Sequence, residues 1–330
     1  MLYLSLVFPP CELTTKRLQR TLFEFIWSSK FEKVKRQIMH KPHHLGGKDV
    51  PNIKLFLYSK FFSLCFKNLT AFSPWAHFLR YAARHIFRKR KWVSISQTGP
   101  VLLSPPKQYL ILEKAIRTYD LETFDIDTLK NPRKLLQQIK SKETMTPISY
   151  YSYNRTASVW KLVNAPYLTN QHKDLSWMIV HECLPTRDFQ YRRRLSNMQT
   201  CPRNQCNSDE TTMHLIWNCD FAQQVWKECG ELIKFCSGLT FLNHEIVLHA
   251  ILPNLNKEKE RVLLCTLSCI KSALWKTRNI LLFKRDYIIV RDCIRLALSE
   301  LYMYYLLDMK KLGKKRALSI WNFHLWKMLF

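Results

Sequence analysis

Residues 201–219 read Cys201-Pro-Arg-Asn-Gln-Cys206-Asn-Ser-Asp-Glu-Thr-Thr-Met-His214-Leu-Ile-Trp-Asn-Cys219, a C-x4-C-x7-H-x4-C spacing. Thiolate sulfur and imidazole nitrogen are the donors that zinc takes in closed tetrahedral sites, and short paired spacings let a small loop wrap the ion. Pro202 and the polar run 204–212 suit a knuckle turn. Residues 209–212 are placed to start a helix that carries His214 on toward Cys219. Three thiolates and a neutral imidazole leave a net charge of about −1, which a neighbour such as Arg203 softens. All four positions are protein, so none remains for a catalytic water. The expected site is therefore one structural Zn2+ on Cys201, Cys206, His214 and Cys219. Cys229 and Cys236 lie close downstream as alternative ligands. They rank lower because residues 221–235 already read as an apolar-faced helix.

Outward from the knuckle the pattern is helical. Residues 11–37 carry Leu18, Leu22, Phe25 and Ile26 at helix-face spacing, with Thr14 or Thr15 as N-cap. The breaker cluster His40-Lys-Pro-His-His-Leu-Gly46-Gly47 ends that element. Residues 53–69 are apolar nearly all round and predict a buried helix. Residues 111–142 predict a small helical region between proline-bearing linkers at 98–108 and 144–154. Helical patterning resumes through Trp160 and Trp177, then over 257–285 and 290–311. The expected fold class is mainly α, a helical multi-segment chain with a small zinc-knuckle domain.

The 330 residues are 47% hydrophobic and 13% aromatic, which excludes a disordered tail. Against 25 Asp+Glu stand 52 Lys+Arg, a formal charge of +27. Such an excess repels itself in a compact chain unless a polyanion neutralises it. RNA or DNA is the economical partner, ahead of an anionic membrane surface. No run approaches the roughly 18 apolar residues of a membrane span, and the apolar start at residues 1–8 lacks the basic flank of a signal peptide. Residues 50–112 contain no acid, and ten cations. Arg80, Arg84 and Arg88 recur every fourth residue and continue into Lys89, Arg90 and Lys91, forming one expected phosphate-binding patch. Arg187, Arg192, Arg193 and Arg194, entering the knuckle, form a second. Lys310, Lys311, Lys314, Lys315 and Arg316 form a third. Residues 201–250 hold only three basic residues against six acidic ones, so the knuckle is read as scaffold and its flanks as contact surface.

Eleven cysteines, an odd number and mostly single in apolar contexts, point to a reducing, intracellular setting. Six glycines supply no phosphate loop. His181-Glu182 is neither H-E-x-x-H nor a deaminase signature. No Asp-Asp pair occurs, and Asp125 with Asp127 read as surface charges.

Several stretches resemble one family. Phe25-Ile-Trp27-Ser-Ser-Lys30 followed by Gly46-Gly47-Lys48-Asp49-Val50-Pro51-Asn52-Ile53 is similar to the end of the thumb in reverse transcriptases of LINE-type (non-LTR) retrotransposons. Val159-Trp160-Lys161, Trp177-Met-Ile-Val-His181 and Leu184-Pro185-Thr186 resemble the opening of that family's zinc-binding domain. The 201–219 stretch, with Glu210, His214-Leu215 and Phe221-Ala222-Gln-Gln-Val225-Trp226, resembles its most specific part. Trp275-Lys-Thr-Arg278-Asn279 resembles a Trp-x-x-Arg-Asn element near the end of such polyproteins. Many relatives have C-x2-C where this chain has C-x4-C, which enlarges the first loop.

The resemblance implies a thumb remnant at 1–69, a basic helical connector at 70–150, the zinc-binding domain at 151–245 and a basic helical segment at 246–330. It implies no complete polymerase palm, because the paired aspartates that would lie before Phe25 have no room there. The chain is then expected to be the C-terminal third of a LINE polyprotein, non-catalytic, holding RNA or DNA through phosphate contacts. Two other expectations stand beside it. One is a split subunit that needs a partner palm, and the other is an inert translated remnant of a decayed element.

Overall fold

The computed structural model describes residues 9, 11–69, 71–83, 86, 106–142 and 153–321. Among them are helices and turns but no strand, and one isolated antiparallel bridge joins Thr200 to Asp209. The mainly α class is what the structure has. In chain order the first helices are α1 (Glu12–Trp27), α2 (Arg36–His40), α3 (Ile53–Lys67), α4 (Pro74–Ala82), α5 (Lys107–Tyr119), α6 (Ile126–Lys130) and α7 (Pro132–Lys142). Then follow α8 (Tyr153–Val163), α9 (Asn170–Val180), α10 (Arg187–Arg192), α11 (Asp220–Glu228), α12 (Gly230–Ser237) and α13 (His244–His249). The last three are α14 (Lys257–Lys284), α15 (Val290–Leu312) and α16 (Lys314–Trp321). No helix among the described residues is long and apolar enough to cross a membrane.

The chain forms two compact units, Met1–Glu32 with Asp49–Thr146, and Lys33–Lys48 with Pro147–Phe330. The first is organised by α3, whose Phe61, Phe62, Cys65 and Phe66 are fully buried. Helices α1, α6 and α7 pack on it. Asn52 starts α3 by accepting the Leu55 N–H at 3.2 Å, satisfying one of the donors a helix start leaves open. Asp125 does the same for α6, accepting from the Thr128 N–H and hydroxyl at 2.8 and 2.6 Å.

The helix expected over 11–37 stops at Trp27. Ser28 turns left-handed (φ 47°), and the N–H groups of Ser28 and Ser29 return to Phe25 and Glu24 carbonyls. That is the αL stop usually made by glycine, here made by serine. Neither threonine caps the start: Cys11 holds the cap position, and the Thr15 hydroxyl donates to the Glu12 carbonyl instead.

In the second unit α14 is the axis. At 28 residues it runs roughly 42 Å, and residues 262–274 of it are buried. It packs against α15, α12, α9 and α16. The same core takes in Cys201, Leu215, Ile216, Cys219, Phe221, Val225 and Trp226 from the knuckle region and Leu301, Tyr304 and Trp321 from the C-terminal helices.

These units divide the chain differently from boundaries at 69, 150 and 245. Residues 33–48 leave the first segment because Gly46 is docked in the second unit. Its carbonyl accepts from Trp177 Nε1 at 2.8 Å and lies 2.7 Å from His181 Nε2. Gly46 has φ +84°, and a Cβ there would sit 2.5 Å from the Trp160 ring, so this close approach requires glycine. Residues 246–321 are not a separate segment either, since α14 is the wall on which the knuckle rests.

Candidate metal centre

The knuckle is built by a hairpin and a widened helical turn. The Thr200–Asp209 bridge closes the hairpin, with Cys201 N–H donating to Ser208 O and Glu210 N–H to Gln199 O, both at 2.9 Å. The four residues between the first two cysteines are taken up by a turn in which Cys206 N–H donates to Arg203 O at 3.2 Å and Gln205 is left-handed (φ 63°). Both cysteines thus return to one side. The Thr211 hydroxyl oxygen then accepts the His214 N–H at 3.0 Å. Residues His214–Asn218 form a π-helical turn closed by Cys219 N–H on His214 O at 2.8 Å. A π turn is wider than an α turn and brings a residue five positions on back beneath the first, which is what the H-x4-C spacing needs.

The four side chains converge. One ligand atom from each of Cys201, Cys206, His214 and Cys219 lies within 4.8 Å of the others, and Cys206 Sγ is 3.3 Å from His214 Nε2. Cys201, His214 and Cys219 are buried and Cys206 is half-buried. Zinc bonds of about 2.3 Å to sulfur and 2.0 Å to nitrogen place tetrahedral ligand atoms roughly 3.5–3.8 Å apart, so this donor set fits the ion with small side-chain adjustment. The Cys201 and Cys219 thiols share a hydrogen bond that holds Cys219 well below the usual thiol range and pushes Cys201 above it. Two thiolates side by side repel, and a cation between them lets both ionise. Cys229 and Cys236 lie outside this cluster. Burial pushes each of their thiols up to about 12, as expected of small buried hydrophobes.

The surroundings fix the cluster. Arg203 is buried, its guanidinium 3.4 Å from the centre of the Phe221 ring and within 3.3 Å of the Thr277 hydroxyl. Glu210 is completely buried beneath the hairpin. Arg278 of α14 grips it in bidentate fashion, Nε to Oε1 at 2.8 Å and Nη2 to Oε2 at 2.5 Å. The Arg187 N–H adds a third bond to Oε2 at 2.8 Å. A buried, fully hydrogen-bonded charge pair therefore ties the hairpin to α10 and α14. Glu210 and Arg278 both stand out in the sequence, but their pairing does not, because 68 residues separate them.

The second basic group also has structural partners. Arg187 Nη1 donates to Thr200 O at 3.0 Å, Arg192 pairs with Asp188 at 2.8 Å, and Arg193 Nη2 donates to Lys33 O at 2.7 Å. Arg194 is exposed in a left-handed turn. In the first group, Arg80 Nη1 donates to the Asn68, Leu69 and Ala71 carbonyls at 3.3, 3.2 and 2.8 Å. Arg84, Arg88, Lys89, Arg90 and Lys91 lie outside the described residues. Lys310, Lys311, Lys314, Lys315 and Arg316 are all exposed around the Gly313 break between α15 and α16.

A second cluster joins His172, Cys269 and Glu300. Here both imidazole nitrogens are engaged, Nδ1 with Tyr304 Oη at 2.7 Å and Nε2 with Glu300 Oε2 at 2.8 Å. Lys276 Nζ takes Glu300 Oε1 at 2.6 Å. With the His172 and Glu300 atoms already hydrogen-bonded, this is a polar clasp among α9, α14 and α15.

Residues 148–226 match the family model described as zinc-binding in reverse transcriptase, a span containing all four knuckle residues and Glu210. No curated protein matches the chain. The match supports a relationship to retrotransposon reverse transcriptases, and the cluster is compatible with zinc.

Proposed function

We propose that the chain is the C-terminal, non-catalytic nucleic-acid-holding module of a LINE-type (non-LTR) retrotransposon reverse transcriptase, stapled by one zinc ion. The convergence of Cys201, Cys206, His214 and Cys219 inside the matched span carries this reading. Bound zinc supplies a fixed cross-link and no open coordination position. The chain's own residues do the rest. Glu210 and Arg278 lock the hairpin on α14, and Arg203 offsets the negative charge of the thiolates. The exposed cations at 310–316 are available to phosphates. The knuckle acts as scaffold, and RNA or DNA is held on the flanks.

Binding of single-stranded RNA and DNA oligonucleotides by the whole chain, titrated over a salt series, tests the reading. Log affinity should fall linearly with log salt, with a slope of about −0.7 per phosphate neutralised. A salt-independent affinity contradicts nucleic-acid holding, and primer extension by the purified chain contradicts the non-catalytic role. One observation favours the second reading, a subunit that docks on a separate palm. Leu13 and Phe25 of α1 and Phe31 after it are 58%, 82% and 60% exposed, large apolar side chains that a docked partner would cover.

A further inference from the structure

One open, shallow basin of about 500 Å3 in the first unit gathers four cations around a single carboxylate. Lys60 and Lys67 of α3, Lys130 at the end of α6 and Arg133 in the first turn of α7 line it, with Asp127 as the one carboxylate. Ion pairs of this unit such as Lys16–Glu12, Arg20–Glu24, Arg117–Glu113 and Lys140–Asp49 lie outside the basin. Among the described residues, Lys60 meets the Phe56 ring, 5.7 Å from its ammonium, and no carboxylate. Asn131 Oδ1 already accepts the Arg133 and Lys134 N–H groups at 3.0 and 3.2 Å. Attraction for an anion therefore comes from the side chains, not from the start of α7.

Four cations against one carboxylate repel one another, and an anion in the basin relieves that repulsion. Lys60 and Lys67 are seven residues apart on one face of α3, roughly 10.5 Å along its axis. Charge spread over that distance suits a run of phosphates better than a single small ion. Three of the four cations are lysines, point charges without the planar fork that reads base edges, and no aromatic side chain lines the basin. We propose that this basin is a phosphodiester-backbone site that takes consecutive phosphates of single-stranded RNA or DNA without reading sequence. It rests on the nucleic-acid reading above but not on the zinc ion.

The test uses the whole chain and two variants of equal net charge. K60Q/K67Q/K130Q/R133Q empties the basin, and K16Q/R20Q/K114Q/R117Q removes four cations elsewhere in the same unit. Fluorescence anisotropy with oligo(U) and with oligo(dT) over a salt series reads affinity and slope. The basin variant should lose about tenfold or more in affinity at moderate salt, with a slope shallower by about 2–3 and an unchanged thermal midpoint. The control variant should lose clearly less. Equal losses in the two variants, or an unchanged slope in the basin variant, overturn the basin while leaving nucleic-acid binding intact. Absence of binding by the wild-type chain overturns both. Comparison of the two oligonucleotides tells whether the ribose hydroxyl contributes.

Discussion

Around the knuckle, Arg278 is buried on Glu210, Arg203 lies on Phe221 and Thr277, and Arg187 holds Thr200. Along α3, α6 and α7, Lys60, Lys67, Lys130 and Arg133 line a basin with one carboxylate among them. Cations in the first hold the fold together, while among the described residues those in the second form no ion pair with the rest of the chain. A net charge of +27 therefore overstates the surface available to a polyanion, and the available part is found by asking which cations lack partners.

This contrast orders the expected effects of mutation. Stripping metal with a chelator, or Cys206→Ser, should have the largest effect, because binding energy at such a site is folding energy, on the order of 10 kcal/mol in small zinc modules. Circular dichroism and protease mapping should show loss of structure spreading from 155–230 into α14, since they share one core. Loss confined to 201–219 would break the shared-core account.

Arg278→Met should cost about 3–5 kcal/mol in urea unfolding by leaving Glu210 buried and unpaired. Adding Glu210→Gln should recover part of that cost, and no recovery would mean that Arg278 acts by packing alone. Gly46→Ala should cost roughly 2–4 kcal/mol, combining a left-handed φ with a clash against the buried Trp160 ring. A wild-type melting temperature would show that residues 33–48 dock differently.

The knuckle and the helix periods were legible because each is local. Four ligands within 19 residues and apolar positions at turn spacing need no knowledge of tertiary contacts. Ser28 is a stop that serine rarely makes, so α1 was read ten residues too long. The docking of Gly46 on Trp177 and His181, and the Glu210–Arg278 pair, join residues 68 to 135 positions apart, and one sequence carries no local signal for such partners. The arginines of 187–193 look free for the same reason, while Lys60 and Lys67 count among the ten cations of 50–112 but sit in a helix notable for being apolar and join no expected patch.

Lys271 is a cation inside the core that donates to Ser176 Oγ at 3.2 Å. Burial lowers its pKa to about 8. The unfolded chain binds the proton more tightly, so this group adds stability as pH rises from about 8 toward 10.5. Lys271→Met should stabilise by on the order of 1–3 kcal/mol at pH 7 and abolish that rise. A destabilised variant would show that the charge is needed where it lies. The basin variant should shift stability by less than about 0.5 kcal/mol, as surface substitutions do. A larger loss would return its cations to the structural class.

Metal analysis of the whole chain, purified under reducing conditions, tests the central claim most directly. The account predicts one zinc per chain, lost in Cys201→Ser, Cys206→Ser and Cys219→Ser and retained in Cys229→Ser and Cys236→Ser. Wild-type protein without zinc, or zinc that survives Cys206→Ser and is lost with Cys229→Ser, would contradict it.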